Sequence, residues 1–270
     1  MRKLTMLGTG NAMVTKCYNT CFYVTLDDGA LFLTDAGGGN GILRQMEDAG
    51  LSFADVHDYF ITHAHPDHLG GAVWVLRKVM TMMRAGQFDG DLHIYCHKTV
   101  RKGLEAIADL MLQKKFVKLI GERVLFHDIE DGMTARLCGR DVTFFDIGST
   151  KLLQFGFTTT LESGARLTCL GDEPYNLDCR RYVEGTDWLL CEAFCLNAHA
   201  DRFKPYEKHH STALDAARLA AELGVSHLVL WHTEDKHLAQ RKALYTAEAR
   251  EAYGGDVYVP DDLDVIGLGE

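Results

Sequence analysis

Residues 60–71, which read FITHAHPDHLGG, place three histidines and an aspartate within six positions. His63, His65, Asp67 and His68 follow an apolar, β-branched run and precede a stretch with helical spacing. The pattern predicts that all four lie on the loop and first helical turn after a buried strand. Imidazole nitrogen and carboxylate oxygen are ligands that suit zinc, manganese or iron. We therefore expect a site for one or two metal ions; the alternative is a loop of polar surface histidines.

Strands and helices alternate along the rest of the sequence. Apolar or alternating runs between turn residues predict strands at residues 4–7, 21–26, 30–34, 56–62, 91–96, 166–170 and 226–231, and several more within 123–161. Helical spacing marks residues 41–49, 69–84, 98–119 and 212–223, with Ser211 or Thr212 as the last cap. The order predicts an α/β fold of two sheets packed back to back with helices outside.

The composition fits one domain over residues 1–270, because 47% apolar residues are ample for a core. The sequence has no run of about 18 uncharged apolar residues and no secretory signal, so we expect neither a membrane span nor export. The eight cysteines include no CxxC pair. Free thiols in a reducing cytoplasm are therefore expected.

The net charge bears on the substrate. Asp and Glu number 38 against 28 Lys and Arg, which gives −10 with neutral histidine. Such a surface repels polyanions, and no basic stripe is evident beyond short runs such as residues 113–118. We therefore expect a small-molecule substrate, and we do not expect the protein to bind a nucleic-acid polymer.

The segment HAHPDH resembles the HxHxDH signature of the metallo-β-lactamase superfamily of metal-dependent hydrolases. Further stretches resemble, in order, segments of its ribonuclease Z-like branch: MLGTGNAMVTKCYNTCFYV with LFLTDAGGG, then LTCLGDEP, KHHSTALDAA and LVLWHTED. The resemblance spans nearly the whole chain. It implies an αββα sandwich of two mixed sheets with the metal site at one edge, and it implies a homodimer.

The same resemblance implies two sets of metal ligands that share Asp172 as a bridging carboxylate. The first set is His63, His65 and Asp172, and the second is Asp67, His68, Asp172 and His232. A turn-forming aspartate and a surface histidine at the end of a strand are the alternatives for Asp172 and His232. Zinc is the expected ion, in one or two copies, with manganese or iron as alternatives.

Catalysis is expected to use a metal-bound hydroxide that Asp67 orients. His210, in the HHST stretch, resembles the leaving-group acid of the family, and histidine titrates near neutral pH. Only its register against the motif separates it from His209. Glu192 matches an acidic residue that supports a ligand histidine in the family. A helix-start or surface glutamate is the alternative.

One histidine of the family pattern is missing. The family supplies a further ligand to the first ion from a loop that corresponds to FDIGSTKLLQFGF, residues 144–157, which contains no histidine. The position falls on Gly148, Ser149 or Thr150. We favour Gly148, which would leave the space open, with Asp146 as a nearby substitute. Three protein ligands still suit a catalytic zinc, although the first ion would bind more weakly.

The HST likeness favours a phosphodiester substrate, and the acidic surface favours a small or nucleotide-type one. The chain is thus predicted to be a metal-dependent phosphodiesterase. Two alternatives stay open. The same metal chemistry hydrolyses lactones, thioesters and β-lactams, and a degraded metal site would leave a non-catalytic scaffold.

Overall fold

A computed structural model describes residues 2–26, 29 and 31–269 of the chain. The strands are β1 (Lys3–Gly8), β2 (Cys21–Thr25), β3 (Leu31–Thr34), β4 (Val56–Phe60), β5 (Leu92–Cys96), β6 (Val124–Asp128), β7 (Thr134–Leu137), β8 (Arg140–Asp146), β9 (Phe155–Thr160), β10 (Arg166–Cys169), β11 (Trp188–Glu192), β12 (His227–Trp231), β13 (Asp256–Tyr258) and β14 (Val265–Gly267). The helices are α1 (Gly41–Asp48), α2 (Pro66–Leu69), α3 (Ala72–Arg84), α4 (Lys98–Met111), α5 (Lys114–Val117), α6 (Arg180–Val183), α7 (Ala200–Phe203), α8 (Ala213–Leu223) and α9 (Arg241–Ala249).

The strands form two seven-stranded sheets. The first has the order β14-β1-β2-β3-β4-β5-β6 and the second the order β13-β12-β11-β10-β9-β8-β7. Each sheet mixes parallel and antiparallel pairs. The two sheets pack against each other, with helices on both outer faces. The predicted α/β fold with two sheets back to back is confirmed.

Period-two alternation builds the layers, because successive strand residues point to opposite faces. In β12, Val229 and Trp231 lie in the core between the sheets, while Leu228 and Leu230 pack on the helical side. The ring of Trp231 meets that of Phe22 from the opposite sheet edge-on, with centroids 5.3 Å apart. Such aromatic pairs stabilise the contact beyond the area they bury.

Two predicted helices are interrupted. Between α2 and α3, the Gly71 N–H bonds to the Gly37 carbonyl at 2.7 Å. A Cβ at Gly71 would lie 1.9 Å from the Ala36 carbonyl oxygen, so this approach of two backbones requires glycine. The predicted helix at 98–119 divides where Leu112 adopts an extended backbone and is buried.

Other features agree with the sequence. Thr212 caps α8 in a reciprocal capping box with Asp215. Seven of the cysteines are free thiols, namely Cys17, Cys21, Cys96, Cys169, Cys179, Cys191 and Cys195. Residue 30, at the start of one predicted strand, lies outside the described residues. Within the described part of the chain, no helix is long and apolar enough to span a membrane.

Candidate metal centre

The candidate site lies where several parallel strands end. Asp35 directly follows β3, the HxHxDH segment follows β4, Asp172 follows β10, Glu192 ends β11 and His232 follows β12. The pairs β3–β4, β10–β11 and β11–β12 are parallel. Parallel strands present their carboxyl ends at one edge, which is where open sheets bind ligands. The register pairs Glu192 with the last residue of β12, and so places it beside His232.

Three of the predicted residues form a first cluster. Ligand atoms of His63, His65 and Asp172 lie within 4.8 Å of one another. Nε2 of His63 is 2.8 Å from Nδ1 of His65 and 3.8 Å from Oδ2 of Asp172. Two imidazoles and a carboxylate therefore converge on one point, as the resemblance implied for the first ion.

A second cluster shares Oδ2 of Asp172. Ligand atoms of Asp67, His68 and His232 lie within 4.8 Å of one another. Oδ2 of Asp172 lies 3.3 Å from Nε2 of His68 and 3.4 Å from Nε2 of His232. The six residues predicted as ligands are thus brought together, and one carboxylate oxygen lies between the two clusters.

Asp35, which the sequence analysis missed, holds His68. Its Oδ2 lies 2.7 Å from Nδ1 of His68, and both side chains are buried. The Thr62 N–H and hydroxyl donate to the same carboxylate at 2.9 and 2.8 Å. This contact fixes the ring and leaves Nε2 as the ligand atom, an arrangement common among metal-binding histidines.

Strained backbone supports two of these positions. Asp35 and His232 both adopt positive φ, at 55° each. Non-glycine residues rarely occupy this left-handed region, and such strain clusters at functional sites. Here it turns each side chain towards the edge directly after its buried strand.

The electrostatics of the cluster fit a cation. Burial opposes ionisation of Asp172, but His63 and His68 outweigh it and hold the pKa of this carboxyl well below its ordinary value. Burial and the neighbouring His68 lower the pKa of His63, so that imidazole favours its neutral, ligating form. Nε2 of His68 is buried and has no hydrogen-bond partner among the described residues. These donors suit a divalent ion bound by nitrogen and oxygen.

Gln154 is a second contact that the sequence did not reveal. Its amide Nε2 donates a hydrogen bond to Oδ1 of Asp172, and both side chains are buried. Oδ1 is therefore held from behind while Oδ2 faces the histidines of both clusters. Gln154 has no motif around it, and only the packing of β9 beside β10 brings it to the site.

His210, not its neighbour, faces the centre. His209 is exposed, whereas His210 is buried with its ring centroid 5.3 Å from that of His232. Nδ1 of His210 lies 3.1 Å from Oε2 of Glu192, and the Ser211 N–H donates to the other oxygen. Glu192 is fully buried and contacts His210 directly, so it is neither a surface residue nor a helix start.

The loop that would carry the missing histidine leaves no open space at Gly148. Gly148 has a φ of 72°, and a Cβ there would lie 2.2 Å from Nδ2 of Asn176. The space beside Gly148 is therefore filled, and our expectation of an open position was wrong. Asp146 accepts the Gly148 N–H at 2.8 Å and belongs to neither cluster. Ser149 donates to Glu173 at 2.8 Å.

A cavity of about 580 Å³ opens over the centre. His65, Asp67, Asp172, His210 and His232 line its floor. Its walls carry three lysines and two phenylalanines, namely Lys151, Lys208, Lys236, Phe194 and Phe203. The volume lies within the range of pockets that enclose small ligands.

Comparison with known proteins agrees with this geometry. A family model described as anti-Pycsar protein Apyc1 matches residues 2–113. Ribonuclease Z of Myxococcus xanthus is 28% identical, with 96% of this chain and 95% of the relative aligned. YhfI, a metallo-β-lactamase-fold protein of Bacillus subtilis, superimposes with a TM-score of 0.78 at 16% identity over 98% of each chain. The chain is a metal-dependent hydrolase of the metallo-β-lactamase fold, and its sequence is similar to ribonuclease Z. The short form of human tRNase Z shares this hydrolase's fold, with a TM-score of 0.72 at 20% identity over 99% of this chain and 100% of the human one.

One prediction about this hydrolase is contradicted. The net charge of −10 led us to argue against a nucleic-acid polymer as partner. Relatives that align over nearly the whole chain are, however, named for cleaving RNA. Net charge describes the entire surface, whereas a substrate meets the local surface, and three lysines line this cavity beside its four carboxylates, two of which belong to the candidate metal ligands.

Proposed function

We propose that the protein is a phosphodiesterase that hydrolyses a nucleotide-type phosphodiester. The observation that carries this proposal is the buried His210–Glu192 pair on the wall of the metal centre. Cleavage of a phosphodiester with an alkoxide leaving group benefits from a proton donor, whereas acyl chemistry on strained lactones depends less on one. The cavity is large enough for one nucleotide unit.

We further propose zinc as the ion, in one or two copies, held by the predicted ligands His63, His65, Asp67, His68, Asp172 and His232. Manganese or iron would also fit these donors. When bound, a divalent ion lowers the pKa of water and neutralises charge that develops on the phosphoryl oxygens.

The protein's own residues supply the remaining parts of the mechanism. Asp67 reaches the centre from the start of α2, and His68 and His232 hold the pKa of its carboxyl low against the effect of burial. It is therefore ionised and able to accept a hydrogen bond from an attacking water. Across the centre, His210 presents its second nitrogen while Glu192 holds the first. A proton on that second nitrogen would pass to the leaving oxygen as the P–O bond breaks.

The test measures hydrolysis of three substrates by the zinc-loaded protein. They are a cyclic nucleotide, a short RNA with a 3′ extension, and a p-nitrophenyl carboxylic ester as the acyl substrate. Hydrolysis of either phosphodiester, lost in His210→Gln and in Asp172→Ala, supports the proposal. Turnover of the acyl substrate alone, unaffected by His210→Gln, contradicts it. Substitution of the exposed neighbour, His209→Gln, is the matched control for the histidine variant.

A further inference from the structure

The loop between β8 and β9 projects a lysine into the cavity. A hydrogen bond of 3.1 Å from the Ile147 N–H to the Gln154 carbonyl closes the base of this loop. At its tip the Ser149 hydroxyl oxygen accepts the N–H groups of Lys151 and Leu152 at 3.2 and 3.3 Å. The backbone of Lys151 is therefore held in place, and only 26% of its side chain is exposed.

A buried carboxylate anchors the ammonium group. Nζ of Lys151 lies 3.5 Å from Oε1 of Glu173, and Glu173 directly follows Asp172 in the chain. Glu173 is the acceptor for this ammonium among the described residues, so further N–H donors remain for a ligand. Lys151 lines the cavity together with His65 and Asp172.

The charge of Lys151 acts on the centre. Lys151 lines the same cavity as the candidate ligands His65, Asp67 and Asp172. A fixed cation beside a cation-binding centre is unfavourable unless an anion lies between them. Glu173 offsets part of the charge of Lys151, and an anionic ligand over the centre would offset it further.

The other two lysines of the cavity already contact residues of its wall. Nζ of Lys208 lies 5.1 Å from the ring centroid of Phe194, and Nζ of Lys236 lies 2.9 Å from Oδ1 of Asp235. Lys236 is also half exposed. Lys151 is thus the lysine that the loop, a buried acid and the cavity wall together hold beside Asp172.

We propose that Lys151 binds a non-bridging oxygen of the substrate's phosphoryl group, from the loop in which the family pattern would place a histidine. The inference rests on the proposed phosphodiesterase function and adds a group that selects phosphoryl anions over neutral acyl esters. Lysine binds phosphate as a compact point charge, and Lys151 lines the same cavity as Asp172, over which a scissile phosphate would lie.

The test uses the zinc-loaded full-length chain and measures phosphate binding separately from turnover. Inorganic phosphate is titrated calorimetrically into the unsubstituted protein and into the variants Lys151→Met, Lys151→Arg and Lys78→Met. Lys78 is an exposed lysine on α3, so its variant is the charge-matched control. Metal content is measured for each. Turnover of bis(p-nitrophenyl) phosphate and of neutral p-nitrophenyl acetate follows on the same samples.

We expect Lys151→Met to weaken phosphate binding and diester turnover by about 10- to 100-fold, as for loss of a charged hydrogen bond. Metal content and acetate turnover should not change, and Lys151→Arg should recover part of the phosphate affinity. Unchanged phosphate affinity in Lys151→Met overturns the inference and leaves the phosphodiesterase proposal intact. Equal losses in the Met and Arg variants also overturn it, because packing and not charge would then be responsible. A protein that binds phosphate through Lys151 but cleaves no diester would refute the proposed function alone.

Discussion

Replacement of Gln154 by methionine should loosen the metal centre without unfolding the protein. The amide donates to Oδ1 of Asp172, and the other oxygen of that carboxylate lies 3.3–3.8 Å from histidines of both clusters. A hydrogen bond to a charged group contributes about 1.5–3 kcal/mol net, which corresponds to roughly 10- to 150-fold in an equilibrium constant. Loss of a residue that orients a metal ligand costs about 10- to 100-fold in metal affinity. The two ranges overlap, and we expect the zinc affinity to decrease by about 10- to 100-fold.

The assay is competition for zinc between the protein and a chromophoric chelator of known affinity. Methionine matches glutamine in length and removes both polar atoms, so the packing between β9 and β10 is largely kept. Gln113→Met, at an exposed position before α5, is the matched control. If Gln154→Met bound zinc as tightly as the unsubstituted chain while Asp172→Asn lost it, the hydrogen bond would have no part in positioning the carboxylate.

Three further predictions concern the proton donor, the loop and acid stability. Glu192→Gln should lower turnover of substrates with alkoxide leaving groups by about 10²-fold and spare p-nitrophenyl esters, which need no proton from His210; equal losses would exclude this role. Gly148→His should add no ion by elemental analysis and should cost about 1–3 kcal/mol of unfolding free energy in urea, because of its positive φ and the filled space beside it. For Asp235, burial raises the pKa, but backbone N–H groups and a lysine outweigh burial and lower it from 3.8 to about 2. The stabilisation by Asp235 is therefore present above its unfolded pKa and lost as pH falls from 3.8 to about 2. The stability difference between the unsubstituted chain and Asp235→Asn should shrink over that window.

The layered fold was predictable because local pattern and tertiary burial agree in the strands. The alternation in β12 separates residues of the inner core from those under the helices, and the sequence displays that alternation directly. The break before α3 was not predictable. It depends on the approach of the backbone at Ala36 to Gly71, a contact between segments far apart in sequence.

Some residues of the site could likewise be predicted from the sequence, and others could not. One short motif contains His63, His65, Asp67 and His68, so their proximity follows from the sequence alone. Gln154, Lys151 and Asp35 lie in stretches that resemble the family, but no local spacing marks them as site residues. The packing of neighbouring strands or the closure of a loop brings them to the centre. Net charge did not predict the class of partner, because it averages over the whole surface and does not show which charges line the cavity.

The decisive measurement is the return of phosphodiesterase activity as zinc is added back to chelated protein, followed together with bound metal per chain. Our prediction is that chelated protein is inactive, that activity rises in proportion to bound ion, and that Asp172→Ala neither binds the ion nor recovers activity. Full activity without metal, or a fully loaded centre that hydrolyses no phosphodiester, would contradict it.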